Sequence, residues 1–183
     1  FLSIIQEKSV FLTTLVSEML DISRIESGRP LELHKADHSV EVLFVRPIHH
    51  FQLLSDMHTF VININEPDFC CRADKEKIWQ VMENLCSNAV KYSPDGGEIK
   101  ISGHPVEKGY QVSVTDQGIG MTEEQIAKVF EKFYRCNQSD TSVGGTGLGM
   151  TIVKSIIDAH QGQIWIDSEL GQRTSVHILI PNS

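Results

Sequence analysis

The 183-residue chain is long enough for one domain of ordinary size and an additional segment, and 40% hydrophobic with 22% charged residues is a globular composition. Its net charge of −8 argues against nucleic acid or an anionic membrane as the main partner, because both require a basic surface. The four cysteines lack CxxC spacing, which favours reduced thiols in a cytosolic setting over a zinc site. No apolar run reaches the roughly 20 residues of a membrane-spanning helix. Because the chain begins at Phe1, we expect a piece of a longer protein.

The first 29 residues predict one long amphipathic helix. Apolar residues recur there at helical spacing and form a broad stripe: Ile5, Phe11, Leu12, Leu15, Val16, Met19, Leu20, Ile22 and Ile25. Nothing within the segment can cover this stripe, so we expect partner helices, with docking on the chain's own domain as the alternative. Gly28 and Pro30 predict the end of the helix, which divides the chain into segments 1–29 and 30–183.

The rest of the chain alternates between strand and helix patterns. In chain order, strands are predicted near 31–36, 60–65, 69–73, 99–101, 110–114, 163–167 and 175–181, and helices near 39–57, 74–92, 123–130 and 148–160. The first of these helices has to accommodate Pro47, and Asp74 can cap the second. Strand pairs mixed with helices predict an α+β fold, a two-layer sandwich whose mixed, mostly antiparallel sheet is covered by helices on one face.

Polar side chains follow one stripe of the helix predicted at 74–92. Asn84, Asn88 and Tyr92 fall at positions i, i+4 and i+8, with Lys91 beside them. A solvated helix surface would explain this pattern. The alternative is a site for Mg²⁺ and phosphates, because Mg²⁺ keeps most of its waters and needs only one or two protein oxygen ligands. Lys91 would then supply positive charge to the phosphates.

Asp116 continues the alternating apolar face of residues 110–114, so its carboxylate is predicted to point inward. A buried carboxylate needs hydrogen-bond donors, and the exocyclic amine of adenine is one. Gly118 and Gly120 let the backbone approach a flat ring closely. An aspartate between a strand and a turn also often caps its own loop, so this motif alone leaves both interpretations open.

A glycine-rich stretch, residues 144–149, directly precedes the helix predicted at 148–160. Its N–H groups and the positive end of the helix dipole suit an anion, although a flexible loop is the alternative. The stretch is not a P-loop, because no Lys-Ser/Thr pair follows, and no strand leads into it as in a dinucleotide fold. Residues 135–147 are polar, and we expect them to be mobile without nucleotide and to become ordered on binding.

Four motifs in this order resemble those of the histidine-kinase branch of the Bergerat-fold ATPases. Residues 83–94, ENLCSNAVKYSP, look like the N box, and residues 116–121, DQGIGM, like the first glycine box. Residues 130–135, FEKFYR, are similar to the F box, and residues 145–149, GTGLG, to the second glycine box. Residues 15–29 resemble the end of the second helix of the dimerisation domain. The resemblance covers nearly the whole chain, and four boxes in order are specific.

The resemblance implies a role for each matching residue in an ATP site. Asn88 would hold Mg²⁺, and Asn84 and Lys91 would face the phosphates. Tyr92 would pack on the adenine side, and Asp116 would accept from the adenine amine. The other nucleotide-binding residues would be Gly118, Gly120, Phe133, Arg135, Gly145, Thr146, Gly147, Leu148 and Gly149. Residues from about 134 to 146 would form a lid anchored by Phe130 and Phe133, with Arg135 either reaching the phosphates or remaining solvated.

The resemblance also implies the reaction. The γ-phosphoryl group of ATP would pass to a histidine on the first dimerisation helix, for relay to a response regulator, and the full-length protein would be a homodimer. None of the eight histidines is followed by the acidic and then basic residue of the acceptor, so we expect the chain to lack that histidine. We further expect ATP and Mg²⁺ as cofactors, a cytoplasmic domain and no nucleic-acid partner, and the sequence leaves open whether the parent protein is anchored in a membrane.

Two other functional classes remain as alternatives. One is a Bergerat-fold ATPase that hydrolyses ATP as a switch, but such enzymes carry a water-activating Glu where this chain has Asn84. The other is a regulatory or protein-binding module without kinase activity. The presence of Asn88, Asp116 and residues 145–149 together argues against a pocket that has lost its nucleotide.

Overall fold

The computed structural model describes residues 31–54, 57–136 and 146–182, and eight helical positions of the N-terminal segment: Ser9, Leu12, Thr13, Val16, Met19, Leu20, Ile22 and Ser23. Each of those eight positions is helical. The full length of the predicted helix, its end near Gly28 and the boundary between residues 29 and 30 lie outside the described residues and remain predictions. Leu12, Val16, Met19 and Leu20 are more than half exposed, whereas Ile22 is buried in the core.

The described strands form two sheets. The small one pairs β1 (Ala36–Ser39) with β3 (Cys70–Ala73) in antiparallel fashion. The main sheet contains β2 (His58–Ile64), β4 (Gly97–Val106), β5 (Gly109–Asp116), β6 (Gln163–Glu169) and β7 (Arg173–Pro181), in the order β2-β4-β5-β7-β6. Only the pairing of β2 with β4 is parallel among these five strands, which confirms a mixed, mostly antiparallel sheet.

Four α-helices have described bounds: α1 (Arg46–Leu54), α2 (Lys75–Lys91), α3 (Glu123–Lys128) and α4 (Gly149–Ala159). A π-helical turn, Glu41–Val45, leads into α1, and this explains how the helix accommodates Pro47. In π-helical spacing a residue bonds to the carbonyl five positions earlier, which for Pro47 is Val42. Because proline has no N–H, the Val42 carbonyl accepts instead from Trp79 Nε1 at 2.8 Å. None of the helices among the described residues is long and apolar enough to cross a membrane.

The strand predicted at residues 31–36 is wrong, because regular strand structure begins only at Ala36. The preceding backbone is held by a side chain instead of a strand partner: His34 N donates to Asp74 Oδ2 at 2.8 Å. Asp74 is the N-cap of α2, as predicted, with Oδ1 accepting from Lys77 N at 3.1 Å. The carboxylate of Asp74 therefore caps α2 and also binds the backbone of the segment that precedes β1.

The core lies between one face of the main sheet and the helices α1, α2 and α4. The sheet contributes Ile99, Ile101, Tyr110, Val112, Val114, Ile178 and Ile180, and the two longer helices contribute Ile78, Val81, Met82, Leu85, Ile152, Val153, Ile156 and Ile157. Burial of each such side chain stabilises the fold by about 1.5–3 kcal/mol. At the end of β5 this apolar face continues into Asp116, which is also buried, as the alternation predicted.

Candidate functional site

A cavity of about 220 Å³ lies where α2, the end of β5 and the start of α4 meet. Most of the predicted site residues line it: Asn84, Asn88, Lys91, Tyr92, Asp116, Gly120, Arg135, Thr146, Gly147 and Gly149. Gly118, Phe133 and Leu148 do not line the cavity, and Gly145 lies outside the described residues. The four motifs, far apart in sequence, therefore contribute to one site.

Apart from Tyr134 and Cys136, which fall within the predicted lid, the remaining lining residues were not predicted from the sequence. They are mostly apolar or small and come from every surrounding element: Leu85, Ser87, Ala89, Val114, Ile119, Met121, Val129, Tyr134, Cys136, Met150, Ile166, Thr174 and Val176. Two of these residues lie on β7, directly opposite residues of β5 that also line the cavity. Thr174 pairs with Asp116, and Val176 pairs with Val114. Knowledge of the strand order would have placed them on the cavity wall.

Asp116 is only 6% exposed, and burial raises the pKa of its carboxyl group. The N–H groups of Gly118, Thr174 and Asp116 itself oppose that rise, as does the nearby hydroxyl of Ser93. The bond from Gly118 N to Asp116 Oδ1 is 2.9 Å long. Asp116 therefore caps its own loop and also faces the cavity, so the two interpretations of this motif are compatible.

Gly118 and Gly120 make their close approaches to the protein's own backbone. A Cβ atom on Gly118 would lie 2.0 Å from the carbonyl oxygen of Tyr92, and one on Gly120 would lie 2.0 Å from that of Glu169. Gly120 also has a φ of 64°, which favours glycine. The next residue after Gly118, Ile119, donates its N–H to the same Tyr92 carbonyl at 3.0 Å. These contacts hold the Asp116 loop against the end of α2.

At the other end of the site, α2 and α4 are in close contact through Asn84 and Gly149. Asn84 Nδ2 donates to Gln80 O at 2.9 Å, within its own helix. Its Oδ1 lies 2.5 Å from where a Cβ atom of Gly149 would be, so a larger residue at the start of α4 would require the Asn84 side chain to move. Asn88 lies one turn further along α2, half-buried on the cavity wall.

Two cationic side chains lie near each other at the cavity, Lys91 and Arg135. Burial lowers the pKa of Lys91, and the nearby charge of Arg135 lowers it further. Lys91 Nζ also lies 4.9 Å from the centre of the Tyr92 ring. Since two like charges at one partly buried place repel each other, this part of the cavity is suited to an anion.

The start of α4 is organised by Thr146, whose Oγ1 accepts from Leu148 N at 3.1 Å. Leu148 itself is buried and belongs to the core. Phe133 is 63% exposed, and the anchoring of a lid by Phe130 and Phe133 remains a prediction. Phe133 is tied to the glycine-rich turn by its backbone, while Phe130 O accepts from Thr151 Oγ1 at 3.0 Å.

Comparisons with known proteins agree with this arrangement. The model of the family described as histidine kinase-, DNA gyrase B-, and HSP90-like ATPase matches residues 73–183. Sensor histidine kinase WalK of Bacillus subtilis (strain 168) is 34% identical over 185 residues, which cover 99% of this chain and 30% of that protein. Sensor protein kinase WalK of Staphylococcus aureus is 30% identical over 184 residues, covering 99% of this chain and 44% of that protein. The chain thus spans less than half the length of these relatives.

Solved structures give the same result. Full-length ShkA in complex with AMPPNP superposes with a TM-score of 0.80 at 26% identity, covering 96% of this chain and 36% of that chain. The nucleotide-free catalytic domain of histidine kinase ThkA gives a TM-score of 0.72 at 27% identity, with 82% and 97% coverage. From the family match over more than half of its length, the chain belongs to the histidine kinase-, DNA gyrase B- and HSP90-like ATPases and contains a catalytic domain of the histidine-kinase type.

Proposed function

We propose that the cavity binds ATP with Mg²⁺ and that the domain transfers the γ-phosphoryl group to a histidine on the first dimerisation helix of the same or a second subunit. The observation that carries the proposal is the position of polar groups at the two ends of the cavity, beside the two ends of the α2 segment that lines it. A buried carboxylate, Asp116, lies beside the end of this helix, and the start of α4 lies beside Asn84. At 1.5 Å per residue, Asn84 and Tyr92 are about 12 Å apart along the axis. An acceptor for adenine at one end and groups for phosphate at the other match the length and polarity of a nucleotide.

The chemistry of the lining residues supports the assignment of roles. Asp116 would accept from the adenine amine, and apolar side chains of the sheet would contact the ring. Lys91 and Arg135 would neutralise the phosphates, together with the N–H groups at the start of α4. The structure of ShkA was solved with AMPPNP, a nucleotide, which supports a nucleotide as the ligand here.

The donor set also fits Mg²⁺. Asn88 offers a side-chain amide oxygen on the cavity wall, and Mg²⁺ accepts one or two such oxygens beside those of the phosphates. Among the residues that the structure describes, no group of three or more His, Cys, Asp or Glu side chains could hold a metal ion. When bound, Mg²⁺ would neutralise charge on the phosphates, and Asn88 would be the residue that holds it.

The same residues favour transfer to a protein acceptor over rapid hydrolysis. Phosphoryl transfer depends mainly on positioning and charge neutralisation, which this site provides. An amide has no proton-accepting strength near neutral pH, so Asn84 cannot act as a general base for water. The exposed apolar residues of the N-terminal helix, Leu12, Val16, Met19 and Leu20, support docking of further helices there. The homodimer, the response regulator and the cytoplasmic location are parts of this proposal and rest on the similarity to sensor kinases.

Calorimetric titration with ATP, in the presence and absence of Mg²⁺, tests nucleotide binding. ATP at about 100 times its dissociation constant should stabilise the domain by about 2.7 kcal/mol. Asn88→Ala should weaken only the Mg²⁺-dependent part of the affinity, whereas the exposed Asn63→Ala should leave both parts unchanged. No binding of ATP under either condition would overturn the proposal. Rapid release of inorganic phosphate without transfer to an acceptor would favour the hydrolysing switch instead.

A further inference from the structure

A buried serine lies beside the cavity, next to the Asp116 loop. Ser93 directly follows Tyr92, the C-cap of α2, and is 2% exposed. Its hydroxyl oxygen is inaccessible to solvent and has no partner among the described residues that meets hydrogen-bond geometry. Buried hydroxyl groups are nearly always hydrogen-bonded, so this one indicates a partner that is completed only in another state of the site.

The backbone of Ser93 makes three hydrogen bonds. Its N–H donates to Val90 O at 3.3 Å, and its carbonyl accepts from Gly96 N at 3.0 Å. The same carbonyl accepts from His58 Nε2 at 2.9 Å, so that nitrogen carries a proton. Because the backbone is fixed in this way, the only freedom left to the side chain is rotation of the hydroxyl group and its hydrogen.

The hydroxyl lies beside the Asp116 loop. Its oxygen is 2.8 Å from where a Cβ atom of Gly118 would be, and Gly118 donates its N–H to Asp116 Oδ1. The hydroxyl is close enough to the carboxylate to lower its pKa, although it is not aligned as a hydrogen bond. Rotation of the hydroxyl is the movement that would complete the bond.

We propose that Ser93 is a positioning residue for nucleotide recognition: in the nucleotide-bound site its hydroxyl donates to the Asp116 carboxylate and fixes the orientation in which that carboxylate receives the adenine amine. The inference rests on the proposed binding of ATP and adds a residue that determines adenine specificity. The simple alternative is that serine is present only because a small side chain fits against Gly118.

The groups that bear on the Asp116 carboxylate make this proposal testable by pH. All four are uncharged: the N–H groups of Gly118, Thr174 and Asp116 itself, and the Ser93 hydroxyl. The two titratable neighbours of Ser93 act elsewhere, since His58 contacts its carbonyl and Tyr92 faces the cavity and Lys91. Burial raises the pKa of Asp116, so loss of one of the four opposing groups should raise it further.

The protonation of Asp116 determines how ATP affinity changes with pH. Adenine needs an ionised acceptor, so ATP affinity should fall as the pH drops toward the pKa of Asp116. In Ser93→Ala that fall should begin at a higher pH than in the wild type. Near neutral pH we expect the variant to bind ATP about three- to tenfold more weakly, the effect of one lost hydrogen bond. The preference for ATP over GTP should shrink by a similar factor.

The experiment is calorimetric titration with ATP and with GTP from about pH 5 to about pH 8. It compares the wild type with Ser93→Ala, with Ser93→Thr, which retains the hydroxyl, and with Ser113→Ala. Ser113 is a matched control, because it is also buried but bonds His177 Nδ1 at 2.7 Å on the open face of the sheet. We expect the pH profile of ATP affinity to be the same in the wild type, Ser93→Thr and Ser113→Ala. In Ser93→Ala the profile should be shifted to higher pH.

A second measurement does not depend on nucleotide. Carbon-13 NMR of the Asp116 carboxyl group gives its pKa in each variant, and Ser93→Ala should raise it while Ser113→Ala should not. An unchanged pKa and unchanged pH profile in Ser93→Ala, with ATP still bound by the wild type, would overturn this inference alone. Failure of the wild type to bind ATP would instead overturn the proposed function, and this inference with it.

Discussion

The backbone N–H of Phe133 donates to the carbonyl oxygen of Gly147 at 3.0 Å, and both residues have left-handed backbone conformations, with φ of 62° and 72°. A Cβ atom on Gly147 would lie 2.8 Å from the carbonyl carbon of Phe133. This bond joins the two ends of the segment predicted to cover the nucleotide. Residues 137–145 within that segment lie outside the described residues, so its mobility remains a prediction.

Gly147→Ala should therefore be destabilising for two reasons, backbone strain and a steric clash with Phe133. The strain alone is about 1–2 kcal/mol. Gly171→Ala is a matched control, because Gly171 has a φ of 76° but nothing within 4 Å of its Cβ position. We expect a larger fall in the free energy of unfolding for Gly147→Ala, measured in urea, and a loss of ATP affinity that Gly171→Ala does not show. Equal effects of the two substitutions would mean that the contact with Phe133 is unimportant.

Asp116→Ala should remove the discrimination between ATP and GTP. The lost hydrogen bond involves a charged acceptor, so ATP affinity should fall by roughly 10- to 100-fold, with a much smaller change for GTP. Dissociation constants for both nucleotides test this, with the exposed Asp95→Ala as the control. The role assigned to Asp116 is wrong if ATP and GTP bind the wild-type chain equally well.

Lys91→Gln should weaken ATP far more than adenosine, because Lys91 would contact phosphates and not the base. The pKa of Lys91 is lowered by burial and by Arg135, and a bound polyanion should raise it again. Nucleotide binding in alkaline buffer should therefore take up protons, which calorimetry in buffers of different ionisation enthalpy measures. Lys154→Gln is the control, because Lys154 pairs with Asp158 on the surface of α4. Proton uptake that persists in Lys91→Gln would assign the effect to another group.

The stability of the domain should depend on pH through His160, at the end of α4. His160 is buried, donates through Nδ1 to Ile156 O at 2.8 Å and accepts through Nε2 from Asp74 N at 3.0 Å, so its ring is neutral. Burial lowers the pKa of His160, an effect increased by Lys35 and opposed by its bonds to Ile156 and the charge of Asp74.

This depressed pKa fixes the sign of the pH dependence. The stabilising contribution of His160 is complete above the unfolded-state pKa of about 6.5 and is lost as the pH falls through the lower, folded-state value. Urea unfolding from neutral to acidic pH should show that loss, and it should be absent in His160→Gln. The exposed His104→Gln should retain the wild-type slope. An unchanged slope in His160→Gln would show that other groups cause the acid response.

The sequence predicted those features that depend on local patterns. Alternation along β5 placed Asp116 on the buried face, and a side chain able to cap a helix placed Asp74 at the start of α2. Features that depend on distant contacts could not be predicted. The strand expected at 31–36 failed because the backbone there bonds to the Asp74 side chain, 40 positions away from His34.

In the candidate site, too, local sequence patterns were predictive and distant contacts were not. Residues within the glycine- and asparagine-containing motifs were identified, whereas Thr174, Val176 and Ile166 were missed because their position depends on the strand order. The glycines were predicted to approach a ligand, but Gly118 approaches Tyr92. That contact, like the placement of Ser93, arises from the packing of two segments that no local pattern relates.

Transfer of phosphate to an added first-helix fragment is the decisive test of the proposed kinase activity. The chain is incubated with Mg²⁺ and γ-labelled ATP, alone and with a fragment that carries the first dimerisation helix. We expect acid-labile label on the fragment, little label on the chain itself and slow release of inorganic phosphate. Asp116→Ala should abolish the labelling, and Asp95→Ala should not. Acid-labile label on the chain alone at a rate typical of kinases, or rapid hydrolysis with none on the fragment, would contradict the account.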